Sequence, residues 1–525
     1  MEPNHRAPQG NTSADRRPPT QDRRPPTPTA DRRPGAEEEP EGVAWKGALA
    51  VALVVGGLVV WRACSTPEGA ASDAASRPGA SAAAPAASDP ADPAAAPQPP
   101  PPRCAAAGAA PFVVGDAPPP ARAPDGAGGG EPEGADDLAP FAVEVGRGTT
   151  FSGGFAVGAQ REAEGGTVAM VATLSADGAQ GKLVRLARSR GDMDPPVVAG
   201  AGGAILAAML EPNAGGRAIK VARIEGEHVT WGAELAEGRD ESLALDIAAS
   251  GERAVIVWDD VTRDGKRSRI MLASADVGTL RSVTSARPVS QPSTDAEMPR
   301  VIGRPGGYWL AYVARAEEPA RKAAEKPTDG NEDTAAAGET ITHQWLEVVP
   351  LDESGALTST PRAVTPKDGH VLAYDLTLAG DDGLLLAFRD DDTPSGSIGG
   401  RISAVLARLG GASEPRVLVG GDREQDAPPE AALGVGAGVP ALLPGVRGKG
   451  DGAAAWLAIA NASGPTQLAA LTARGELAGG LHAEPALGRG EPIAASPEAL
   501  LVAHPAGKAM KLGLLRCAST APSNK

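Results

Sequence analysis

The sequence has few cysteine, histidine and aromatic residues. Its 525 residues include 3 Cys, 6 His, 5 Phe and 3 Tyr. It contains no His-Glu-x-x-His sequence, no other closely spaced set of histidines and no Cys-x-x-Cys pair, so the usual zinc-ligand spacings are missing. The missing spacings argue against a zinc enzyme.

Signatures of nucleotide cofactors and of activated serine nucleophiles are also absent. The chain has no Walker A sequence, no Rossmann fingerprint following a strand and no Gly-x-Ser-x-Gly in a strand–turn–helix context. Positive charge is scarce as well, because the formal net charge is −16 and no Lys/Arg patch with interleaved aromatic residues offsets it locally. Such a chain is not drawn to phosphate backbones. We therefore expect no nucleic-acid partner and no cofactor.

The chain has one long apolar run, residues 47–61, which contains no charged residue. Extended to 43–63, the segment reaches the ~30 Å of a bilayer core if the flanking Lys46 and Arg62 extend toward the interface. A tryptophan lies near each end, as is common at membrane interfaces. The run therefore predicts a single transmembrane helix at 43–63.

Two other interpretations of this segment remain open. A cleaved signal peptide would suit its length, but about 46 residues precede the run and no small-x-small site directly follows it. A lipid anchor at Cys64 would suit its end, but Trp61-Arg62-Ala63 lacks the aliphatic and small residues of a lipobox. An uncleaved anchor is the interpretation that fits best.

The distribution of basic residues predicts the orientation of this anchor. Residues 1–46 carry eight Lys and Arg, whereas residues 62–135 carry four, and loops rich in basic residues stay in the cytoplasm. We expect a single-pass protein of the bacterial inner membrane. Its N-terminus would lie in the cytoplasm and its C-terminal domain in the periplasm or outside the cell.

The regions flanking the anchor have too few large apolar side chains to fold. Residues 1–42 contain Arg-Arg-Pro repeats and are predicted to be disordered, as are the last residues, 520–525. The repeats could present a polyproline II ligand or could be a drifting low-complexity tail. Residues 64–135, rich in Ala and Pro, are predicted to form a partly extended stalk.

Residues 136–519 repeat one pattern about seven times. Each copy has a glycine turn, a short apolar strand, a polar turn and a second strand that carries Arg or Lys. The clearest copies are 251–273 and 382–406. Alignment by eye gives equivalent strand ends at an average spacing of about 55 residues. These ends are Thr173, Leu210, Trp258, Tyr312, Phe388, Ile459 and His504.

This period resembles that of the seven-bladed β-propeller superfamily. The resemblance implies an all-β domain over 136–519, in which each blade is a small sheet packed on its neighbours. It rests on the period alone, since no WD40, kelch or sialidase signature is present. Six or eight blades and an array of β-sandwiches remain alternatives. The charged, Ala-rich segment 317–340 is predicted to be a flexible insertion within one blade.

Propeller closure suggests a role for two of the three cysteines. Cys104 precedes the first candidate strand, within a possible closing segment at 104–116, and Cys517 ends the last strand. If strands from both termini share a blade, a Cys104–Cys517 disulfide would lock the ring and would indicate an oxidising compartment. Two unpaired thiols are the alternative. Cys64 would stay free or join two chains.

Two acidic clusters follow equivalent strands, where propeller loops meet near one face. They contain Asp259 and Asp260 in one case and Asp390 and Asp391 in the other. Their carboxylates could hold Ca²⁺ or act as an acid–base pair. The competing interpretation is solvated turn residues, because Asp favours turns and no EF-hand pattern is present.

Because propellers serve many functions, the sequence yields three hypotheses. The favoured one is a non-enzymatic module that binds or scaffolds a protein or a glycan. The second is a hydrolase or lyase acting on polysaccharide, with Asp259 and Asp390 as general acid and base. The third is a transmembrane sensor whose Arg-Arg-Pro tail engages a cytoplasmic partner.

Overall fold

The computed structural model describes residues 103–115, 143–163, 166–213, 216–239, 243–319, 340–391, 400–420, 437–445, 454–461 and 465–518. The predicted N-terminal tail, transmembrane segment and C-terminal tail lie outside these residues, as do most of the stalk and most of the insertion at 317–340. Within the described ranges, no helix has the length and hydrophobicity needed to cross a membrane.

The described secondary structure consists of strands. In chain order they are β1 (Arg103–Ala106), β2 (Phe112–Val114), β3 (Val143–Phe151), β4 (Gly154–Ala163), β5 (Gly166–Ser175), β6 (Gly181–Ser189), β7 (Val197–Ala201), β8 (Ala204–Asn213), β9 (Gly216–Glu225), β10 (His228–Trp231), β11 (Ala236–Gly238), β12 (Leu245–Ser250), β13 (Arg253–Val261), β14 (Ser268–Asp276), β15 (Ser282–Pro288), β16 (Asp295–Arg304), β17 (Gly307–Pro319), β18 (Thr340–Leu351), β19 (Arg362–Ala363), β20 (Val371–Ala379), β21 (Gly383–Asp390), β22 (Arg401–Arg408), β23 (Gly411–Ala412), β24 (Arg416–Val419), β25 (Ala437–Pro444), β26 (Ala455–Asn461), β27 (Gln467–Leu471), β28 (His482–Ala483), β29 (Glu491–Ala495), β30 (Leu500–Ala506) and β31 (Ala509–Ala518).

The strands form seven antiparallel sheets, which we number as blades in chain order. Blades 1 to 6 are β3–β6, β7–β11, β12–β15, β16–β19, β20–β24 and β25–β28, and blade 7 is β29–β31 with β1 and β2. The first strands of neighbouring blades contact one another all the way round the ring. The domain is therefore a seven-bladed β-propeller, and the predicted all-β class and blade number are confirmed.

The second strand of each blade forms the core because neighbouring strands and blades cover it on both sides. In β13, every residue from Ala254 to Trp258 is at most 1% exposed. Trp258, Trp309 and Trp456, on the second strands of blades 3, 4 and 6, are fully buried. Apolar clusters between adjacent blades hold the ring together, because burying such side chains releases roughly 25 cal/mol per Å² of apolar surface.

Blade 1 differs from the sequence alignment in one respect. Six of the aligned strand ends lie on second strands, but Thr173 lies on β5, the third strand of blade 1. The second strand is β4, where glycine at position 158 and a polar end interrupt the apolar run. A Cβ at Gly158 would lie 1.6 Å from the carbonyl oxygen of Pro196. Close packing of β4 against the segment that leads into blade 2 therefore requires glycine at this position. The same glycine interrupts the apolar run and makes β4 hard to recognise in the sequence.

Strands from both ends of the domain share blade 7. Both β1 and β2 pair with β31, and Cys104 lies opposite Cys517 and is joined to it by a disulfide. The backbone N–H of Cys104 also donates to Glu484, 3.2 Å away. The blade is thus closed by strand pairing, a side-chain hydrogen bond and a covalent link.

Candidate functional site

A ring of charged residues surrounds the propeller axis. In each blade a turn connects the first strand to the second. The residue four positions before the end of the first strand lies at the same level in every blade. The residues at this level, here called the axial ring, are Arg147, Val197, Asp246, Arg300, Asp375, Pro440 and Glu491. Five of these seven positions are ionisable. Because first strands are innermost, they gather these groups at the centre of the molecule.

Arg147 spans the axis. Its Nη1 lies 2.5 Å from Oδ1 of Asp375, and its Nη2 donates to the carbonyl oxygens of Leu376 and Leu442 at 2.8 and 3.1 Å. Arg147 belongs to blade 1, whereas its partners belong to blades 5 and 6. The guanidinium thus ties opposite sides of the ring together and binds one oxygen of Asp375.

The two aspartates of the ring also link adjacent blades. Asp246 accepts hydrogen bonds from the backbone N–H groups of Ile247 and Val301 at 2.9 and 2.8 Å. Asp375 does the same with Leu376 and Leu442 at 2.8 and 2.7 Å. In both cases one bond stays within the strand and the other reaches the first strand of the next blade, so these carboxylates hold first strands in register.

Glu491 and Arg300 are engaged differently. Neither side chain forms a hydrogen bond or ion pair with another described residue, and both are half-buried. Some side-chain nitrogen and oxygen atoms of the described residues are buried without a hydrogen-bond partner, and those of Glu491 and Arg300 are not among them. Solvent can therefore reach the polar ends of these two side chains. The ring thus presents one carboxyl and one guanidinium that a ligand could contact.

The electrostatic surroundings change the pKa values of the ring. Burial raises the pKa of the Glu491 carboxyl, and the negative charge of Asp375 raises it further. Burial also raises the pKa of Asp246, although Arg300 and the backbone donors oppose the change. For Arg300, burial lowers the pKa, but Asp246 and Asp375 more than offset this and leave it above its ordinary value. Glu491 is therefore the group best placed to hold a proton.

The acidic clusters predicted from sequence are occupied by hydrogen bonds. Asp259 accepts from the N–H groups of Ala244 and Met298 at 2.7 and 2.8 Å, and Asp260 accepts from that of Arg239 at 2.8 Å. Both belong to blade 3. Their carboxylates bind connecting segments and the neighbouring blade.

The second cluster lies two blades away, in and after β21 of blade 5. Asp390 accepts from the N–H of His370 at 2.9 Å, and buried Asp391 binds Nε and Nη2 of Arg389 at 2.7 and 3.0 Å. Blade 4 separates the two clusters. A Ca²⁺ or acid–base role for these residues stays a prediction. Among the described residues, no group of three or more His, Cys, Asp and Glu is arranged to hold a metal ion.

Comparison with solved structures finds other propellers at low identity. The β-propeller domain of the Trilobed protease from Pyrococcus furiosus is similar over 73% of this chain and 96% of its own, at 11% identity and a TM-score of 0.39. An alpha-L-arabinanase from Penicillium chrysogenum is similar over 71% of this chain and 93% of its own, at 11% identity and a TM-score of 0.37. No protein-family model matches the chain, and no curated protein matches its sequence.

These comparisons correct the favoured functional prediction. Several of the similar propellers are glycoside hydrolases, including an endo-arabinase from Bacteroides thetaiotaomicron (9% identity, 53% of this chain, 93% of its own, TM-score 0.30) and a thermostable family-43 enzyme. These similarities contradict the expectation of a binding module without catalysis, and an enzyme acting on polysaccharide stays a proposal. The strand pairing of the chain itself, and not these likenesses, shows that it is a seven-bladed β-propeller protein.

Proposed function

We propose that this protein hydrolyses a polysaccharide at the axial ring, with Glu491 as general acid and Asp375 as its carboxylate partner. The observation that carries the proposal is the environment of Glu491. Its carboxyl forms no hydrogen bond or ion pair with another described residue, and its pKa is raised by burial and by the charge of Asp375. A raised pKa favours the protonated form of the carboxyl, which is the form that a general acid needs.

Glycoside hydrolysis uses two carboxyl groups in different states on either side of the scissile bond. The protonated group gives its proton to the leaving oxygen, and the ionised group activates water or attacks the sugar. Asp375 suits the second role because Arg147 and two backbone N–H groups donate to its carboxylate. Arg147 then acts as a positioning residue that fixes the orientation of Asp375.

The proposal includes a location outside the cytoplasm. The disulfide between Cys104 and Cys517 supports an oxidising compartment, since cytosolic thiols are kept reduced. We propose that residues 43–63 anchor the chain in the bacterial inner membrane, with the propeller on the outer side. Labelling of single engineered cysteines on each side of 43–63 with a membrane-impermeant reagent in intact cells tests this. Labelling on the N-terminal side alone would contradict it.

Activity of the full-length protein on a panel of neutral and acidic polysaccharides, measured as new reducing ends, tests the catalytic proposal. We expect cleavage of at least one member of the panel and a loss of roughly 10²- to 10⁴-fold in kcat/KM for Glu491→Gln. The matched control is Glu498→Gln. Glu498 is an exposed carboxyl in the turn of the same blade, and its replacement should leave the rate unchanged.

Two results would overturn the catalytic proposal. One is full activity in Glu491→Gln. The other is no cleavage of any polysaccharide by a protein whose thermal unfolding shows that it is folded.

A further inference from the structure

The second accessible group of the axial ring is Arg300, and the acid–base mechanism leaves it without a role. Arg147, the other arginine of the ring, is committed to Asp375 and two carbonyl oxygens. Arg300 forms no hydrogen bond or ion pair with a described residue, yet it lies near enough to Asp246 and Asp375 for both to influence it. It is thus a cation held at the centre of the site without a direct partner.

The nearby carboxylates are held in place by other donors and form no ion pair with Arg300. Both oxygens of Asp246 accept backbone N–H groups that fix them to blades 3 and 4, and Asp375 is held by Arg147. The donor fork of Arg300 is therefore available for a group brought in from outside. A guanidinium in a half-buried site binds a planar carboxylate in two-point fashion and does so more strongly than it binds a neutral hydroxyl.

The charges of the axial ring also favour an anionic ligand. The raised pKa of Glu491 favours its uncharged form, and the other ionisable groups of the ring are two arginines and two aspartates. Arg147 and Asp375 neutralise each other in direct contact, which leaves Arg300 as the cation of the ring that has no direct partner among the described residues. An incoming anion would pair with Arg300, whereas a neutral sugar would leave this cation unpaired.

We propose that the substrate carries a carboxylate at the sugar in the axial site, that is, a polysaccharide containing uronic acid, and that Arg300 binds this carboxylate. The proposal rests on the proposed function, because it assigns the substrate class of the same site. The chain has a net charge of −16, which opposes general attraction of polyanions. Affinity for an acidic glycan must therefore come from a local cation such as Arg300.

Calorimetric binding to the full-length Glu491→Gln protein, which prevents turnover, tests the substrate class. The probes are tetrasaccharides of galacturonate, glucuronate and mannuronate, each paired with its fully methyl-esterified and hence neutral form. We expect at least one acid to bind ten times or more tighter than its ester. Arg300→Gln should remove this preference and leave the affinity for the ester within twofold.

Two further variants separate recognition from folding. Arg300→Lys keeps the charge but loses the fork, and we expect it to retain part of the preference. Arg263→Gln removes an exposed arginine from the turn between β13 and β14 and should have no effect. If Arg300→Gln does not fold, the proposal stands or falls on Arg300→Lys, which must weaken binding of the acid more than that of its ester.

The outcomes distinguish the two proposals. Equal binding of acid and ester, or an unchanged preference in the Arg300 variants, overturns the uronate proposal even if a neutral polysaccharide is cleaved in a Glu491-dependent way. Binding of an acid through Arg300 without cleavage of any polysaccharide supports uronate recognition and overturns the hydrolase. Absence of binding by all three acids overturns the uronate proposal.

Discussion

The axial ring depends on individual charged side chains placed at one level of seven separate strands. Asp246 and Asp375 each lie between large apolar neighbours in the sequence, Leu245 and Ile247 in the first case. That is a detectable signal, because an acid inside a buried strand needs specific partners. The partner is not readable from sequence, however, since Arg147 and Asp375 are 228 positions apart.

Replacing Asp375 by Asn should destabilise the fold. The change removes the negative partner of Arg147 in a pair that is 27% and 8% exposed, and breaking such a pair costs about 3 kcal/mol. Urea unfolding measures the effect. The control is Asp382→Asn, which breaks an exposed pair with Arg408 (57% and 55% exposed) and should cost under about 0.5 kcal/mol. Equal effects of the two variants would contradict the structural role of Asp375.

Glu491 should make stability depend on pH in a definite direction. Because its pKa is raised in the folded state, the folded protein holds the proton more tightly than the unfolded chain. The free energy of unfolding should therefore fall as pH rises from about 4, the unfolded pKa, through the folded pKa. Glu491→Gln cannot ionise and should lack this decrease.

Unfolding of wild type, Glu491→Gln and Glu498→Gln at a series of pH values checks this. Glu498→Gln should follow the wild type. Parallel curves for all three proteins would show that Glu491 does not titrate in a buried environment.

At the level of single strands, the apolar content of a strand decides whether it can be recognised in the sequence. Second strands such as β13 and β21 read as uninterrupted apolar runs because other strands cover them on both sides. Five of the seven first strands contain charged residues, and several contain bulges where they pair with the second strand. The second strands of six blades therefore reveal the repeat in the sequence, whereas the first strands, where the candidate site lies, are too irregular to show it.

Gly158 of β4 should be intolerant of a side chain. In Gly158→Ala the new Cβ would lie 1.6 Å from the carbonyl oxygen of Pro196, so blade 1 and the segment leading into blade 2 must move apart. We expect a loss of about 3 kcal/mol in the free energy of unfolding. Gly410→Ala is the control, since a Cβ there meets no atom within 4 Å. A cost below that of the control would show that the two blades are less tightly packed.

At the scale of the whole molecule, the ring must be closed for the axial groups to meet. The last blade is assembled from β29–β31 together with β1 and β2, and the disulfide joins positions separated by 413 residues. The spacing of the cysteines relative to the first and last strands made this pairing predictable, because propeller closure brings the termini together.

Loss of the disulfide should weaken the whole propeller. Cross-linking so distant a pair restricts the unfolded chain, and replacing both cysteines by alanine should cost about 4 kcal/mol. Either single replacement should cost the same as the double, since the bond needs both sulfur atoms. Thermal unfolding with and without reductant checks this, and reduction should affect only the wild type. Unchanged stability on reduction would contradict a role for the bridge in closure.

The central claim is that Glu491 supplies the proton at the axial ring, and the pH dependence of kcat/KM for polysaccharide cleavage tests it most directly. The wild type should show an alkaline decline as Glu491 loses its proton, and the residual rate of Glu491→Gln should lack that decline while Glu498→Gln retains it. An alkaline decline that persists unchanged in Glu491→Gln would contradict the claim and move the search for the proton donor away from the propeller axis.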